Sequence, residues 1–384
     1  SQHFCDEVAM PNPFRLETIR PGQPFCDREE ETRVLLAHAR DFRNVVLSSP
    51  RRYGKTSLAL RVQSQLESEG WACLHADFFG VDSMEDVARR IGRALLKALD
   101  RRETLLGKGR RLLKGLKAFR PAFHPREDGG ITLTVERVSE SGDPVRLLEN
   151  VLEDLAEVVG RKEFSLHVTF DEFQEVTRLK ESGQIEGIIR TCIQGQDASY
   201  LFLGSRRGVL RAIFNERKRP LFQSAIHMQL DPLPYADVVP FVENLFKQEG
   251  KSITTEGAKA VHALVEGYPY YVQRLAGEAF EAAEGPVSRE DVVRALARVA
   301  HGERYGFQAV LSTLTPSQIK VLRALTKHPT SEPQSAEFTA LSGTPASSVG
   351  FAIKKLESED LIEKDARGVW RVVDPVFRLW LNEL

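Results

Sequence analysis

"SSPRRYGKTSLAL", Ser48 to Leu60, decides how this chain is read. It contains Gly54-Lys55-Thr56 and runs on into apolar residues, and the β-branched run "NVVLS", Asn44 to Ser48, leads into it. The short run reads as a buried strand, and Leu58, Leu60, Val62 and Leu66 read as apolar positions of a following helix. Strand, turn, helix is the context of a phosphate-binding loop (Walker A), G-x-x-x-x-G-K-[ST]. Here Ser49 stands at the first glycine position, and Arg51 and Arg52 lie inside the loop.

Such a loop turns successive backbone N–H groups inward, so that they and the helix N-terminus cradle phosphate oxygens. Ser49 is tolerable if that position needs no positive φ. Pro50 makes the turn, Arg51 and Arg52 add charge beside the phosphates, and Tyr53 and Gly54 close the loop, with Gly54 permitting close backbone approach. Lys55 would reach the β- and γ-phosphates, the Thr56 hydroxyl would hold Mg²⁺, and Ser57 follows in the first turn. The plain alternative is a strand–turn–helix with a solvated lysine.

A nucleotide site needs a carboxylate as well. "FSLHVTFDEFQEV", Phe164 to Val176, runs five strand-forming residues into Asp171-Glu172, a Walker B pattern. Asp171 would join the metal shell and Glu172 would polarise the attacking water. The alternative is an acidic strand end on an ordinary surface. "YLFLGSRR", Tyr200 to Arg207, is a third strand that ends in Ser205 and Arg206. Both are candidates to sense or stabilise a γ-phosphate, against a solvated arginine at a strand end.

The chain of 384 residues is long enough for two or three domains. Its net charge of −1 gives no global basic field for nucleic acid, so such a contact needs a local patch. The four cysteines form no C-x-x-C or Cys/His cluster, which argues against zinc and a disulfide framework and for reduced thiols in the cytoplasm. No apolar run approaches the ~20 residues of a membrane span, and no signal-peptide pattern opens the chain.

Together these motifs resemble the AAA-type ATPases of archaea and bacteria within the STAND class of signal-transduction ATPases. The resemblance is carried by "NPF" (Asn12 to Phe14), "FCDREEE" (Phe25 to Glu31), "SPRRYGKTSL", "TFDEFQEV", "LGSRRG" and "GYPYYVQ" (Gly267 to Gln273), and it covers about residues 12–384. It implies an α/β P-loop ATPase fold: a three-layer αβα core with a parallel sheet, a helical lid and a C-terminal winged-helix domain. It also implies ATP and Mg²⁺ as cofactors and slow ATPase activity. By position, Arg28 and Glu29 match the family's F-x-x-R-E-x-E box beside the adenine. On chemistry alone that stretch is a charged helix start with Asp27 as a plausible N-cap. Pro269 matches the lid proline that packs on the base or sugar. Arg274 lies five residues beyond Pro269, outside the motif. "RPLFQSA", Arg219 to Ala225, lacks the glycine-arginine that family members often carry there, leaving Arg217 and Arg219 as possible contacts to a neighbouring subunit's γ-phosphate or as a solvated basic loop.

The expected organisation is an ATPase core over 12–230, a lid over 231–300 and a winged helix over 305–384. Core strands are expected at Asn44–Ser48, Ala72–Phe78, Leu166–Phe170, Tyr200–Gly204 and Ala225–Leu230, and family order places the sensor strand between the two Walker strands. A basic insertion falls at about 101–140. Residues 101–126 hold nine lysines and arginines against one acid, Glu103, and Gly129 to Val138 alternates like a strand or hairpin. It would serve as a basic patch for nucleic acid or an acidic partner, or as a solvated arm. In the winged helix, Thr315 caps a first helix with Pro316 at its first position. A recognition helix would present Thr344, Ser347 and Ser348, with Lys354 and Lys355 late and Arg367 and Arg371 on the wing. "DPVFRLWL", Asp374 to Leu381, is an amphipathic end that would pack against another domain.

The reading that follows is an Mg-ATP-dependent switch in which nucleotide state controls the lid and winged helix. Two alternatives stay open. One is an ATP-dependent DNA-binding factor resembling origin-recognition ATPases, and the other is a protein-interaction scaffold with negligible turnover. A DNA or protein partner is expected through the winged helix or insertion, no membrane is expected, and the oligomeric state is open.

Overall fold

The computed structural model describes residues 12–106, 117–125, 131–137, 142–160, 165–365 and 367–383. They form two compact units. The core unit is Arg28–Ser49 with Lys55–Leu230, and the second unit comprises the described residues up to Asp27, Pro50–Gly54 and Asp231–Leu384.

In the core unit, β1 (Val45–Ser48), β2 (Ala72–Asp77), β5 (Leu166–Asp171), β6 (Ala198–Gly204) and β7 (Ile226–Gln229) form one parallel sheet in the order β2-β5-β6-β1-β7. The sensor strand β6 lies between the Walker strands β1 and β5, as expected. Central parallel strands are covered on both faces and read as unbroken apolar runs; β1, β5 and β6 are buried along their whole length. Helix Lys55–Ser68 buries Leu58, Val62 and Leu66, with Leu60 only partly covered. Phe170, Phe173, Phe202 and Phe214 interlock with centroid separations from 4.8 to 6.2 Å. Truncating one of them to alanine would cost about 3–5 kcal/mol.

Register places the strand ends together. Ser48 pairs with Gly204, and Asp77 pairs with Asp171. The carboxyl edge of a parallel sheet, next to a strand-order reversal, is where such folds place their chemistry.

A two-stranded antiparallel hairpin, β3 (Phe119–Pro125) with β4 (Ile131–Arg137), lies between β2 and β5 in sequence. Its first strand comes from the basic stretch, and helix Met84–Leu106 takes up the start of that stretch. The remaining parts of the insertion, 107–116, 126–130 and 138–141, fall outside the described residues.

The second unit carries helices Tyr235–Gln248, Thr255–Val265, Pro269–Glu281 and Arg289–Ser312, then the winged helix. Helix Arg289–Ser312 opens on a Ser288–Asp291 capping box and runs straight through the boundary expected near 300. A second capping box, Thr315 with Gln318, starts helix Pro316–Lys327, with Pro316 at the first position. Helices Ala336–Ser342 and Ala346–Ser358 follow, then the wing strands β8 (Ile362–Lys364) and β9 (Trp370–Val372) and helix Pro375–Glu383. That last helix packs Phe377 and Trp380 on Phe307 at 5.0 and 5.5 Å between centroids. Among the described residues, no helix is long and apolar enough to cross a membrane.

Candidate functional site

In the core unit, Ser49 follows β1 directly. It is fully buried and outside the left-handed region, so its position does not need glycine. Gly54 has φ 83°, which suits glycine and little else. Lys55 opens the helix, and its side chain is buried rather than solvated. Its ammonium donates to the Ser49 carbonyl at 3.1 Å and reaches Ser49 Oγ at 3.4 Å. Ser57, two residues further on, is buried.

Thr56 Oγ1 donates to Asp171 Oδ2 at 2.7 Å, and His75 Nε2 stands 3.3 Å from the same oxygen. Burial raises the Asp171 carboxyl, but the hydrogen bond and charge of His75, the Thr56 hydroxyl and the Lys55 charge outweigh it and hold the group below its ordinary value. Thr56 and Asp171 thus offer two hard oxygen donors side by side. Among the described residues, no cluster of three His, Cys, Asp or Glu could cage a metal. That donor set fits Mg²⁺, which binds through one or two protein oxygens and completes its shell with water and phosphate.

Glu172 turns the chain out of β5 with φ 50° and ψ 42°, a conformation that costs a non-glycine residue about 1 kcal/mol or more. Its Oε2 accepts from Ser205 Oγ at 2.9 Å and from Gln174 Nε2. The hydroxyl expected to sense phosphate is therefore bonded to the carboxylate expected to polarise water. Arg206 is the residue before helix Arg207–Asn215.

Two expectations change here. Arg28, not Asp27, occupies the position before helix Glu29–Arg40, and no side chain caps that helix; Asp27 and Arg28 both have positive φ. Arg28 is buried and pairs with Glu31 at 2.7 Å. Arg219 is paired with the fully buried Glu186, whose carboxyl is raised by burial against the pull of Arg219. Arg217 is exposed, and among the described residues it has no such partner.

In the second unit, the loop tip is engaged by helix Pro269–Glu281 and helix Arg289–Ser312. The Tyr268 hydroxyl donates to the Arg51 carbonyl at 2.7 Å, and the Tyr268 ring meets Tyr53 edge-on at 4.7 Å. Arg52, at φ 60°, lies over Tyr270 and beside Glu303. Pro50, Arg51 and Arg52 border a cavity of about 510 Å³ whose other walls include Tyr271, Phe307 and Asp374. Tyr271 donates to Asp374 at 2.7 Å; burial, then the Asp374 carboxylate, raises the Tyr271 hydroxyl, whereas burial raises the Asp374 carboxyl against the pull of the hydrogen bonds it accepts from the Phe377 N–H, the Tyr271 hydroxyl and the Val376 N–H. Pro269 is the first residue of its helix, and Arg274 pairs with Glu278 at 3.6 Å.

On helix Ala346–Ser358, expected above as the recognition helix, Ser347, Phe351, Lys354 and Lys355 are exposed and Ser348 is half-covered. Thr344 is buried, its hydroxyl turned to the Ser342 carbonyl, so it does not present itself to a partner. Lys355 pairs with Glu359, Arg367 with Asp365 and Arg371 with Glu363.

A family model described as a probable winged helix domain matches residues 305–383. Among curated proteins, none matches this sequence. Three solved structures from archaea resemble the chain over nearly its whole length. The Walker-type ATPase of Pyrococcus abyssi is 17% identical with a TM-score of 0.70, covering 96% of this chain and 99% of that one. The ORC2 protein of Aeropyrum pernix, in ADPNP-ADP complexes, is 14% identical with a TM-score of 0.58 over 97% and 96%. The ORC1 protein of Aeropyrum pernix, in complex with DNA, is 16% identical with a TM-score of 0.50 over 96% and 94%. The chain has an α/β P-loop ATPase fold with a C-terminal winged helix.

Proposed function

We propose that this protein binds and hydrolyses Mg-ATP, and that the nucleotide state is transmitted to its winged helix. The observation that carries the reading is the convergence at one sheet edge of a buried lysine, a Thr56–Asp171 oxygen pair and a carboxylate clamped beside them. The loop amides from Ser49 to Gly54 and the ammonium of Lys55 hold the phosphates. Thr56 and Asp171 hold Mg²⁺, which when bound neutralises phosphate charge. Glu172 orients the attacking water in line with the γ-phosphate, and Arg206 answers the charge that develops there. Arg28 and Pro269 are assigned to the base by family position.

Transmission rests on the loop tip. Arg51 and Arg52 are held by Tyr268, Tyr270 and Glu303, and Glu303 sits on the helix that leads into the winged helix. The STAND assignment follows from the F-x-x-R-E-x-E and G-x-P motifs. Among the described residues, Cys26, Cys73 and Cys192 form no disulfide, which suits a reducing cytoplasm.

A second reading is supported by the winged helix together with the likeness to the DNA-bound ORC1 structure: ATP sets a conformation that binds DNA through helix Ala346–Ser358. One experiment separates the readings. Purified protein is assayed for ATP and ADP binding with and without Mg²⁺, for phosphate release, and for duplex DNA binding across a salt series. Mg²⁺-dependent ATP binding with phosphate release supports the first. A steep loss of DNA affinity with salt supports the second. Absence of nucleotide binding sinks both.

A further inference from the structure

Gln174 is almost fully buried, two residues past Glu172 and one past the fully buried Phe173. The tight turn of Phe173–Arg178 brings its side chain back to Glu172. Its Nε2 donates to Glu172 Oε2, the oxygen that also accepts from Ser205 Oγ at 2.9 Å. Among the described residues, no donor reaches Oε1 of Glu172.

The amide is held there at a cost. Gln174 Oε1 is buried and, among the described residues, has no hydrogen-bond partner, and buried amide oxygens are rarely left so. It lies against Gly204 at the end of β6. A Cβ built on Gly204 would collide with Gln174 Oε1 and come within 2.7 Å of Leu210 Cδ1. Gly204 has an ordinary φ, so its glycine is explained by space and not by backbone freedom.

We propose that Gln174 is a positioning residue for hydrolysis. With Ser205 it pins the Glu172 carboxylate by Oε2 and leaves Oε1 as the oxygen that takes the proton of the attacking water. Gly204 is the gap through which the amide reaches. In that step the water oxygen bonds to the γ-phosphorus. The bond from phosphorus to the bridging oxygen breaks, with its electron pair leaving on ADP, and the water proton passes to Oε1. An unpinned glutamate samples other rotamers, and a small misplacement of a reacting group can cost about 10²-fold. The inference rests on the ATPase reading above.

The test uses the full chain and the substitutions Gln174→Leu and Gly204→Ala, each also in a Glu172→Gln background. Turnover with Mg-ATP, affinity for a fluorescent ATP analogue and thermal midpoint are measured. Expected is a ~10–100-fold fall in kcat for both, with affinity within about threefold of wild type. Neither change should lower the residual rate of Glu172→Gln further. A merely structural residue would lower both backgrounds alike, and that result overturns the proposal. If Gln174→Leu does not fold, Gly204→Ala decides alone, because the nearest atoms its Cβ meets belong to the side chains of Gln174 and Leu210 and not to backbone. Wild-type kcat in Gly204→Ala overturns the proposal. If wild type hydrolyses ATP and Gln174→Leu matches it, the positioning role falls and the ATPase reading stands. If wild type hydrolyses nothing, the ATPase reading falls and takes this inference with it.

Discussion

The guanidinium of Arg52 lies 4.2 Å from the centroid of Tyr270 and 3.6 Å from the Glu303 carboxylate. The Tyr270 hydroxyl donates to the same Glu303 at 2.7 Å, which closes a three-residue cluster at the loop tip. Burial first, then the Glu303 carboxylate, raises the Tyr270 hydroxyl, so it remains a donor at neutral pH. The neighbouring Arg51 offers its carbonyl to Tyr268, and its side chain is exposed. The two loop arginines thus differ in their surroundings, Arg52 being engaged through its guanidinium and Arg51 through its backbone carbonyl.

Arg52→Ala should therefore leave ATP affinity nearly unchanged while amide exchange quickens in helices Pro269–Glu281 and Arg289–Ser312. An exposed cation–π contact is worth roughly 0.5–1 kcal/mol, so the loosening should be local. Arg51→Ala should weaken ATP by about 1–3 kcal/mol, the range for a lost charge-assisted hydrogen bond, and weaken adenosine less. Calorimetric titration of both variants checks this. Equal losses of ATP affinity, or none in either, would show that the tasks are not divided.

Lys55→Ala should abolish ATP binding. The lysine packs against Ser49, so its removal also takes one hydrogen bond from the Ser49 carbonyl, at a cost of about 1 kcal/mol to folding. Lys55→Met keeps most of the volume and should differ from Lys55→Ala in thermal midpoint but not in nucleotide affinity. Normal ATP binding by either variant, once shown to be folded, would end the phosphate-loop assignment.

Glu172→Gln should retain ATP and Mg²⁺ binding and lose turnover by at least ~10²-fold, because an amide cannot accept the water's proton. Phosphate release under single-turnover conditions measures it. Wild-type turnover would move the water-orienting role elsewhere. Glu175 is buried and paired with Arg178 at 2.8 Å, so it would have to break that pair to take over.

What was legible in the sequence was local in the chain. The β-branched run before Gly54-Lys55-Thr56, the five residues before Asp171-Glu172 and the Thr315-Pro316 helix start each fix their element within a few residues. What was not legible depends on elements meeting. His75 reaches Asp171 only because β2 pairs with β5 in one register. Arg219 meets Glu186 across 33 residues of chain, so its loop position alone suggested a free arginine. Thr344 looks like a helix start residue facing a partner, yet it is buried before the helix begins at Ala346. Gln174 carried no signal at all, since a glutamine two residues after an acidic pair matches no chemical pattern until Ser205 and Gly204 are beside it.

His167 gives the fold a pH dependence that can be isolated. It lies in β5 with only 3% of its surface exposed, its Nδ1 2.6 Å from Ser199 Oγ and its Nε2 3.4 Å from Thr169 Oγ1. Burial, followed by the charge of His75, lowers its pKa to about 3, against an ordinary value of about 6.5. Above pH 6.5 neither folded nor unfolded chain holds this proton, so it adds nothing. As pH falls below that value, the unfolded chain takes up a proton that the folded chain refuses until about pH 3. Stability must therefore fall with falling pH, with a slope approaching 1.4 kcal/mol per unit, or about 2 kcal/mol between pH 7 and pH 5. Asp171 acts in a lower window. Its pKa is depressed, so its contribution is complete above its ordinary value of about 4 and is lost only below it. His167→Gln keeps an amide for Ser199 and cannot take the proton. The prediction is that urea midpoints of wild type and His167→Gln diverge from each other between pH 7 and pH 5, with wild type losing more. Parallel curves across that range would mean that His167 is protonated in the folded chain or that its burial does not survive in solution.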